Sequence, residues 1–476
     1  MRDLKHSKQS YESVMKRRNE IMKSSVGIDY AKFRIGALAY DYEGLLKSTG
    51  YTLDKVINIQ RQTSVGNTPL VELKNINRLI RKISQPGRGA RIFLKDESAN
   101  PSGSFKDRRA SVSVYEAKGR GYPGVAAATS GNYGAAVASQ SAKNLLRCII
   151  VQEAFDSRGI AQPEILEKAR ACEAYGAEVL RLSVGPELFY VFLTVLEETG
   201  FFNASLYTPF SVLGIESLGF EIASDVKKRT GKFPEVVVVT HAGGGNVTGT
   251  ARGLIKAGAH NTEVIGASVD LSGLHMASDR DFNRKSFTTG HTGFGIPFAE
   301  WPDRTDVPFN SARPLKYLDR YVTVSQGEVF YITRALAELE GMERGPAGNT
   351  SLAAGFAIAR DMKSDEILVV QETEYTGAGK HPTAQLNLAK KMGIKVKRGD
   401  PAENVPGESI IIPERPEQIR VRDVDLGKLR ESYVTRALKN LYKQKKECKK
   451  EDIEFLMEDS RANSEMIKRI MNEIFK

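Results

Sequence analysis

A chain of 476 residues, 41% hydrophobic and 27% charged, has the composition of a folded globular protein with room for a sizeable core, which excludes wholesale disorder. The polar start Met1–Ser10 holds no apolar core for a secretory signal, and no run approaches the roughly 20 apolar residues that span a bilayer, so a cytoplasmic protein is expected. Cys148, Cys172 and Cys448 lie far apart and the 6 histidines show no paired spacing, so neither a disulfide framework nor a metal site is expected, and the net charge of +11 allows a polyanionic partner without choosing one.

Residues 1–64 read as a helical N-terminal extension, in which Leu45, Leu46, Leu53, Val56 and Ile57 suggest one amphipathic stretch. From Gly66 onward strands and helices alternate. Gly66-Asn-Thr-Pro-Leu-Val71 is a turn into a short apolar segment, Arg91–Lys95 reads as a strand, and Ala99–Arg109 is a turn before a helix from Ala110 to Gly119. Gly124–Ala128 is a strand, followed by Thr129–Gly134 and an Ala-rich helix to about Asn144, and Cys148–Val151 is the next strand. Pro163 opens a helix to about Tyr175, Ala177–Leu180 resumes as strand, and a further helix ends near Glu198. Beyond Gly214 a helix leads to the apolar strand Glu235–Val239, and Glu366–Val370 is another such strand. This rhythm predicts an α/β protein whose parallel sheets carry helices on both faces, in two lobes. Prolines 401, 406, 413 and 416 break the pattern and place a boundary, making 65–400 the core and 401–476 a linker with a basic helical tail. Leu426, Leu429, Tyr433, Ala437 and Leu441, then Ile467, Ile470, Met471 and Ile474, recur at helical spacing, so docking helices with a solvated face are expected.

Three loops follow three strands, the place where open α/β sheets bind ligands. In the first, Lys106 stands one residue after Phe105 behind a Gly/Ser/Pro turn, held by its neighbours. An amine that attacks an aldehyde must be neutral and fixed in its approach. Alone, Ser104-Phe-Lys106 would read as a turn with a solvated lysine. The second loop, Thr129-Ser-Gly-Asn-Tyr-Gly134, sits at a helix start, where free N–H groups and short hydroxyls can hold a carboxylate; Thr129 or Ser130 as a plain N-cap is the alternative. The third, Gly243-Gly-Gly-Asn-Val-Thr-Gly249, lets the backbone close around a phosphate. It is not Gly-x-Gly-x-x-Gly, and no Gly-x-x-x-x-Gly-Lys-Ser/Thr occurs, which disfavours dinucleotide and P-loop readings. Together the loops specify a cofactor with one aldehyde and one phosphate working on an amino acid, and pyridoxal phosphate meets that description.

Gly66–Val71, Asn100-Pro-Ser-Gly-Ser-Phe-Lys-Asp-Arg108, Ser130-Gly-Asn132, Tyr175-Gly-Ala-Glu-Val179 and the Gly243 loop, in that order between about Gly66 and Gly377, resemble the fold type II pyridoxal-phosphate enzymes, which include threonine synthase, cysteine synthase and serine/threonine dehydratases. The resemblance implies a tryptophan synthase β-like fold, with 113–212 as a smaller mobile lobe and 65–112 plus 213–400 as the larger one. It implies that Lys106 links to the cofactor aldehyde and later moves the substrate Cα proton. Asn132 would hydrogen-bond the cofactor's ring oxygen, Thr129, Ser130, Gly131 and Tyr133 would surround the substrate carboxylate, and Gly243, Gly244, Gly245 and Asn246 would take the phosphate. Thr373 is expected at the pyridine nitrogen, with Thr376 as the alternative. Where many relatives carry Glu-Pro-Ser-Ser/Gly-Gly-Ala, this chain has Gly345-Pro-Ala-Gly-Asn-Thr350, so the dehydratase arrangement is in doubt and a roomier pocket near Gly345 is expected.

Over its whole length, extension and tail included, the chain is similar to the β subunit of a coenzyme A-dependent thiolase of ornithine degradation, with Gly345–Gly355 and Gln371–Lys380 carrying much of the likeness. That implies thiolytic release of acetyl-CoA and alanine, coenzyme A as co-substrate, a small α subunit as partner, and a homodimer of this chain within a hetero-oligomer. No thiol-activating base is visible, and neither a membrane nor nucleic acid is an expected partner. A β-eliminating or β-replacing enzyme using the same lysine is the alternative, and a non-catalytic binding module with a basic tail is a third reading.

Overall fold

The computed structural model describes residues 8–129, 131–156, 158–185, 187–272, 285–289, 307–375 and 377–475. The strands are β1 (Leu70–Glu72), β2 (Arg91–Asp96), β3 (Gly124–Thr129), β4 (Arg147–Phe155), β5 (Glu178–Ser183), β6 (Phe202–Asn203), β7 (Val236–Thr240), β8 (Glu263–Val269), β9 (Arg320–Val324), β10 (Ile367–Glu372), β11 (Lys395–Gly399), β12 (Ser409–Pro413) and β13 (Arg422–Asp423). A seven-stranded sheet runs β1-β2-β10-β7-β8-β9-β13, and a four-stranded sheet runs β5-β4-β3-β6. The smaller sheet and the interior of the larger one are parallel, whereas β1 and β13 close the large sheet's edges antiparallel.

The central strands are apolar throughout because helices cover both faces. Val236 and Val238 of β7 and Leu368 and Val370 of β10 pack on one side with Leu336, Leu352 and Phe356. Their alternates Val237, Val239, Ile367 and Val369 pack on the other with Ile215, Leu218 and Leu254. The strand order is what builds a site: β2, β10 and β7 are neighbours, so the loops after Asp96, Glu372 and Thr240 emerge side by side.

Three expectations change. Within the extension, which also holds the helices Tyr11–Lys16 and Arg18–Val26, the single stretch read from Leu45 to Ile57 is split between two helices, Tyr42–Ser48 and Leu53–Gln62, because Gly50 turns the chain at φ 69° and Thr52 caps the second helix by accepting the Lys55 N–H at 3.2 Å. Residues 401–423 are not a linker: β12 pairs with β11 and β13 joins β9, while Pro401 opens a short 3-10 turn and Pro413 closes β12, so the prolines mark element ends. The third change concerns the lysine helix, Lys106–Gly119, which begins at the lysine itself and not at Ala110.

The tail docks as expected. Leu429, Tyr433, Ala437, Leu441, Ile467 and Ile470 are buried against Leu315 and Tyr321 of the core, and the Arg313 guanidinium reaches across to the Tyr433 hydroxyl at 2.8 Å and to Asp459. Its apolar stripes are therefore covered. Among the described residues no helix is long and apolar enough to cross a membrane.

Arg108, in the first turn of the lysine helix, explains the early start. Its guanidinium donates to Glu97 at 2.6 and 2.8 Å, to Glu221 at 2.9 and 2.8 Å and to Ser217 at 2.9 Å, with Arg108 and Glu97 fully buried. Arg108→Met leaves the Glu97 carboxylate buried without its cation, which is expected to cost about 3–5 kcal/mol. A fall of the urea midpoint, with the slope of the transition unchanged, measures it.

Candidate active site

The lysine turn is clamped to the end of β10. The Tyr375 N–H donates to the Gly103 carbonyl at 2.8 Å and the Phe105 N–H to the Thr373 carbonyl at 3.1 Å. Asp107 closes the turn by accepting the Ser102 N–H at 2.7 Å and its hydroxyl at 2.6 Å. Gly103 has φ 78°, and a Cβ there would enter the Tyr375 ring, so the turn needs glycine. Lys106 Nζ lies 4.3 Å from the Phe105 ring centroid. Burial, helped by the charge of Arg109, holds its amine well below the ordinary lysine value.

Lys106 opens into a cavity of about 200 Å³ that Thr129, Gly131, Asn132 and Tyr133 line from the small lobe, with Gly243, Gly244, Gly245 and Asn246 after β7 and Thr373 after β10. Ser130 and Thr376 lie outside the described residues. The helix Asn132–Asn144 starts without a side-chain cap: Gly131 is its N-cap residue, and Thr129 Oγ1 accepts the Gly131 N–H at 3.1 Å instead of capping the helix. The Gly134 N–H donates to the Gly131 carbonyl at 3.0 Å, and the helix start faces the cavity that a carboxylate would enter. The Tyr133 hydroxyl is turned to the Ala204 carbonyl at 2.6 Å, so the tyrosine offers its ring to the cavity and braces the lobe with its oxygen.

The helix Gly245–Lys256 follows N-cap Gly244, whose φ is 81°. A Cβ on Gly243 would strike the Tyr207 hydroxyl, one on Gly244 would sit 2.5 Å from Pro314, and one on Gly245 would sit 2.5 Å from Arg109 Nη2. Only glycine leaves this cradle open, and the helix start turns its unpaired N–H groups and positive dipole end toward it. The Asn246 side chain does not join the cradle, because its amide donates to Gln371 Oε1 at 2.8 Å beneath the loop. Its backbone N–H remains for an anion.

Several site residues were not read from the sequence. Glu374 accepts from Asn132 and Lys380, and against the upward push of burial Lys380 and Lys168 hold its carboxyl below the usual range. Burial and the Glu374 charge push the Glu372 carboxyl well above that range. Burial, then the charge of Lys380, brings the Lys168 amine down to about 8, 4.0 Å above the Tyr375 ring centroid. The pocket near Gly345 is not roomier: a Cβ there would stand 2.7 Å from Glu374 Oε1, so that carboxylate fills the space. Two acids flanking Thr373 straight after an apolar strand were the available signal.

A buried, anchored lysine whose amine is held well below its ordinary value, at one part of the cavity, and a glycine cradle for an anion at another fit an aldehyde bearing one phosphate. Residues 61–372 match the family described as pyridoxal-phosphate dependent enzyme, and the chain belongs to that family, in its fold type II. Among relatives, it is 63% identical over 465 residues to a 2-amino-4-ketopentanoate thiolase beta subunit of an unknown prokaryotic organism, and 61% identical to the protein of that name from Acetoanaerobium sticklandii, covering 98% of both chains in each case. A threonine synthase from Bacillus sp. is 26% identical over 66% of this chain and 83% of its own. In fold, the T.th. threonine deaminase covers 69% of this chain and 99% of its own, with a TM-score of 0.51 at 23% identity.

His241 stands directly before the glycine loop, edge-on to Tyr321 with ring centroids 5.1 Å apart, and burial brings its imidazole from 6.5 to about 4. The unfolded chain therefore binds an extra proton between those values. The stability this contributes is fully present above pH 6.5 and is lost as pH falls toward 4, up to about 3 kcal/mol. Urea midpoints measured across that window are expected to fall in the wild type and to fall less in His241→Phe.

Proposed function

We propose that this chain is the catalytic β subunit of a cytoplasmic, coenzyme A-dependent thiolase that cleaves 2-amino-4-ketopentanoate to acetyl-CoA and alanine, paired with a second copy of itself and with a small α subunit. The observation that carries this reading is identity of 63% across 98% of both chains, which runs through the N-terminal helices and the docked tail, beyond the family match at 61–372. In the overall reaction the C3–C4 bond breaks, the acetyl group joins the thiol sulfur, and the equivalent of the thiol proton ends on C3.

When bound, pyridoxal phosphate supplies an electron sink for charge that develops beside the substrate's amino nitrogen. Lys106, its amine held well below the ordinary lysine value and placed over Phe105, takes and returns the Cα proton. Thr129, Ser130 and Gly131 would hold the substrate carboxylate at the helix start, with the Tyr133 ring as a wall. Gly243, Gly244, Gly245 and the Asn246 N–H hold the phosphate. Thr373 would meet the ring nitrogen with a hydroxyl, a neutral partner that would not hold a proton there. Asn132 exchanges Glu374 for the ring oxygen. Lys168 is a second amine able to exchange protons near neutral pH within the same cavity. Burial pushes the thiols of Cys148 and Cys172 up to about 12, and none of the three cysteines lines the cavity, so the acetyl group passes to coenzyme A without a cysteine carrier.

The β-elimination or replacement alternative draws on the likeness to threonine synthase, but Gly345–Thr350 lacks the glutamate and serine of that arrangement. Incubation of the purified chain with 2-amino-4-ketopentanoate and coenzyme A, with and without a candidate small subunit, is expected to yield acetyl-CoA. Ammonia in its place, with the partner present, sinks the thiolase reading. Lys106→Ala is expected to abolish turnover and the visible absorbance of the lysine-linked cofactor while thermal unfolding stays as in the wild type; retained turnover would move the catalytic amine elsewhere. Gly244→Asp places bulk and negative charge in the cradle and is expected to weaken cofactor binding in an equilibrium titration.

A further inference from the structure

Arg109 is a cation in the cavity to which the chemistry above gives no task. Three residues after Lys106, it occupies a neighbouring position on the same helix face. Its guanidinium is buried, with the residue 3% exposed, and packs 5.6 Å from the Phe105 ring centroid. One hydrogen bond holds it, from Nη1 to the Leu206 carbonyl at 3.0 Å, while Nε has no partner and no carboxylate among the described residues pairs with it. Arg108, one position earlier, shows the contrast, saturated by Glu97 and Glu221. A buried guanidinium left unpaired is unfavourable until an anion reaches it.

The built anion site lies against it. A Cβ on Gly245 would stand 2.5 Å from Nη2 and 3.0 Å from Nη1, so the guanidinium borders the open first turn of the helix Gly245–Lys256. We propose that Arg109 is the fixed positive charge of the phosphate site, holding the cofactor's phosphate between its guanidinium and the glycine cradle. This rests on the family and not on the thiolase reading, so loss of the latter leaves it standing. Burial brings Arg109 to about 10, so it is charged at neutral pH. The same charge, second only to burial, lowers the proton affinity of the Lys106 amine.

The full chain stripped of cofactor is titrated with pyridoxal phosphate and, separately, with pyridoxal, which lacks the phosphate. Arg109→Gln is expected to weaken pyridoxal phosphate binding about ten- to a hundredfold, the loss of a charge-assisted contact, and to leave pyridoxal binding unchanged. Arg109→Lys, which keeps the charge and loses the planar fork, falls between. The cofactor-free Arg109→Gln protein melts at or above the wild type because an unpaired charge has left its interior, and inorganic phosphate raises the wild-type midpoint but not the variant's. Equal losses for pyridoxal phosphate and pyridoxal, with a lowered cofactor-free midpoint, would make Arg109 a packing residue and overturn the proposal. Unchanged pyridoxal phosphate affinity with a raised KM for coenzyme A would assign the guanidinium to that molecule's phosphates and overturn it equally.

Discussion

The site stands on the buried charge network around Arg108. It joins four pieces of chain: Glu97 after β2, the first turn of the lysine helix, Ser217 and Glu221 on the helix Pro209–Thr230, and Thr68 in the turn before β1, whose hydroxyl donates to Glu97 at 2.6 Å. Lys95 adds a second cation, 3.0 Å from Glu221. Every charge is answered, which a buried network must achieve to specify one arrangement instead of destabilising several. Because Arg108 is two residues past Lys106, fixing its guanidinium fixes where the helix begins and where the amine stands. The low affinity of that amine for a proton follows, since a lysine free to swing would find water.

Charge in the cavity is sorted by partner. Lys380 is tied to Glu374, burial holds the Lys106 amine well below its ordinary value, and Arg109 keeps its charge with no carboxylate paired to it among the described residues. Asn132, at the helix start after β3, reaches Glu374 after β10, so the four-stranded and seven-stranded sheets are linked across the cavity. Glu372, pushed toward its neutral form beside Glu374, lets two acids stand two residues apart without mutual repulsion.

The legible parts of the sequence were those whose physics is local. Apolar runs such as Val236–Val239 and Ile367–Val370 announced buried strands, Gly103 and Gly244 announced turns that other residues strain, and the order of the loops pointed to the cofactor. Strands β8, β9 and β13 escaped because their roles depend on pairing: Arg422–Asp423 is a strand only through its contact with β9. The prolines between 401 and 416 were misread for the same reason, being element ends in a folded unit although they resemble linker residues in isolation. Lys168 and Arg109 entered the site through tertiary geometry, and no local pattern separates them from ordinary surface charges, whereas Glu374 left only the trace of two acids flanking Thr373 after an apolar strand.

The change at Gly345 shows how a site can keep a carboxylate while moving its source. A long side chain absent from the loop before the helix Asn349–Asp361 would leave a void, and protein interiors do not tolerate such voids without compensation. Here the carboxylate arrives from Glu374, whose own backbone is held by the Gly345 N–H at 3.2 Å, so the two positions are coupled directly. Glycine at 345 is then a steric requirement of glutamate at 374, because any Cβ would press on that carboxylate. Anchored after β10 beside Thr373 and paired with Lys380, the acid reaches the cavity from a strand end clamped to the lysine turn, not from a helix start. The charge at this part of the cavity is therefore set by Glu374 and its two lysine neighbours, since the space a side chain at 345 would take is already filled.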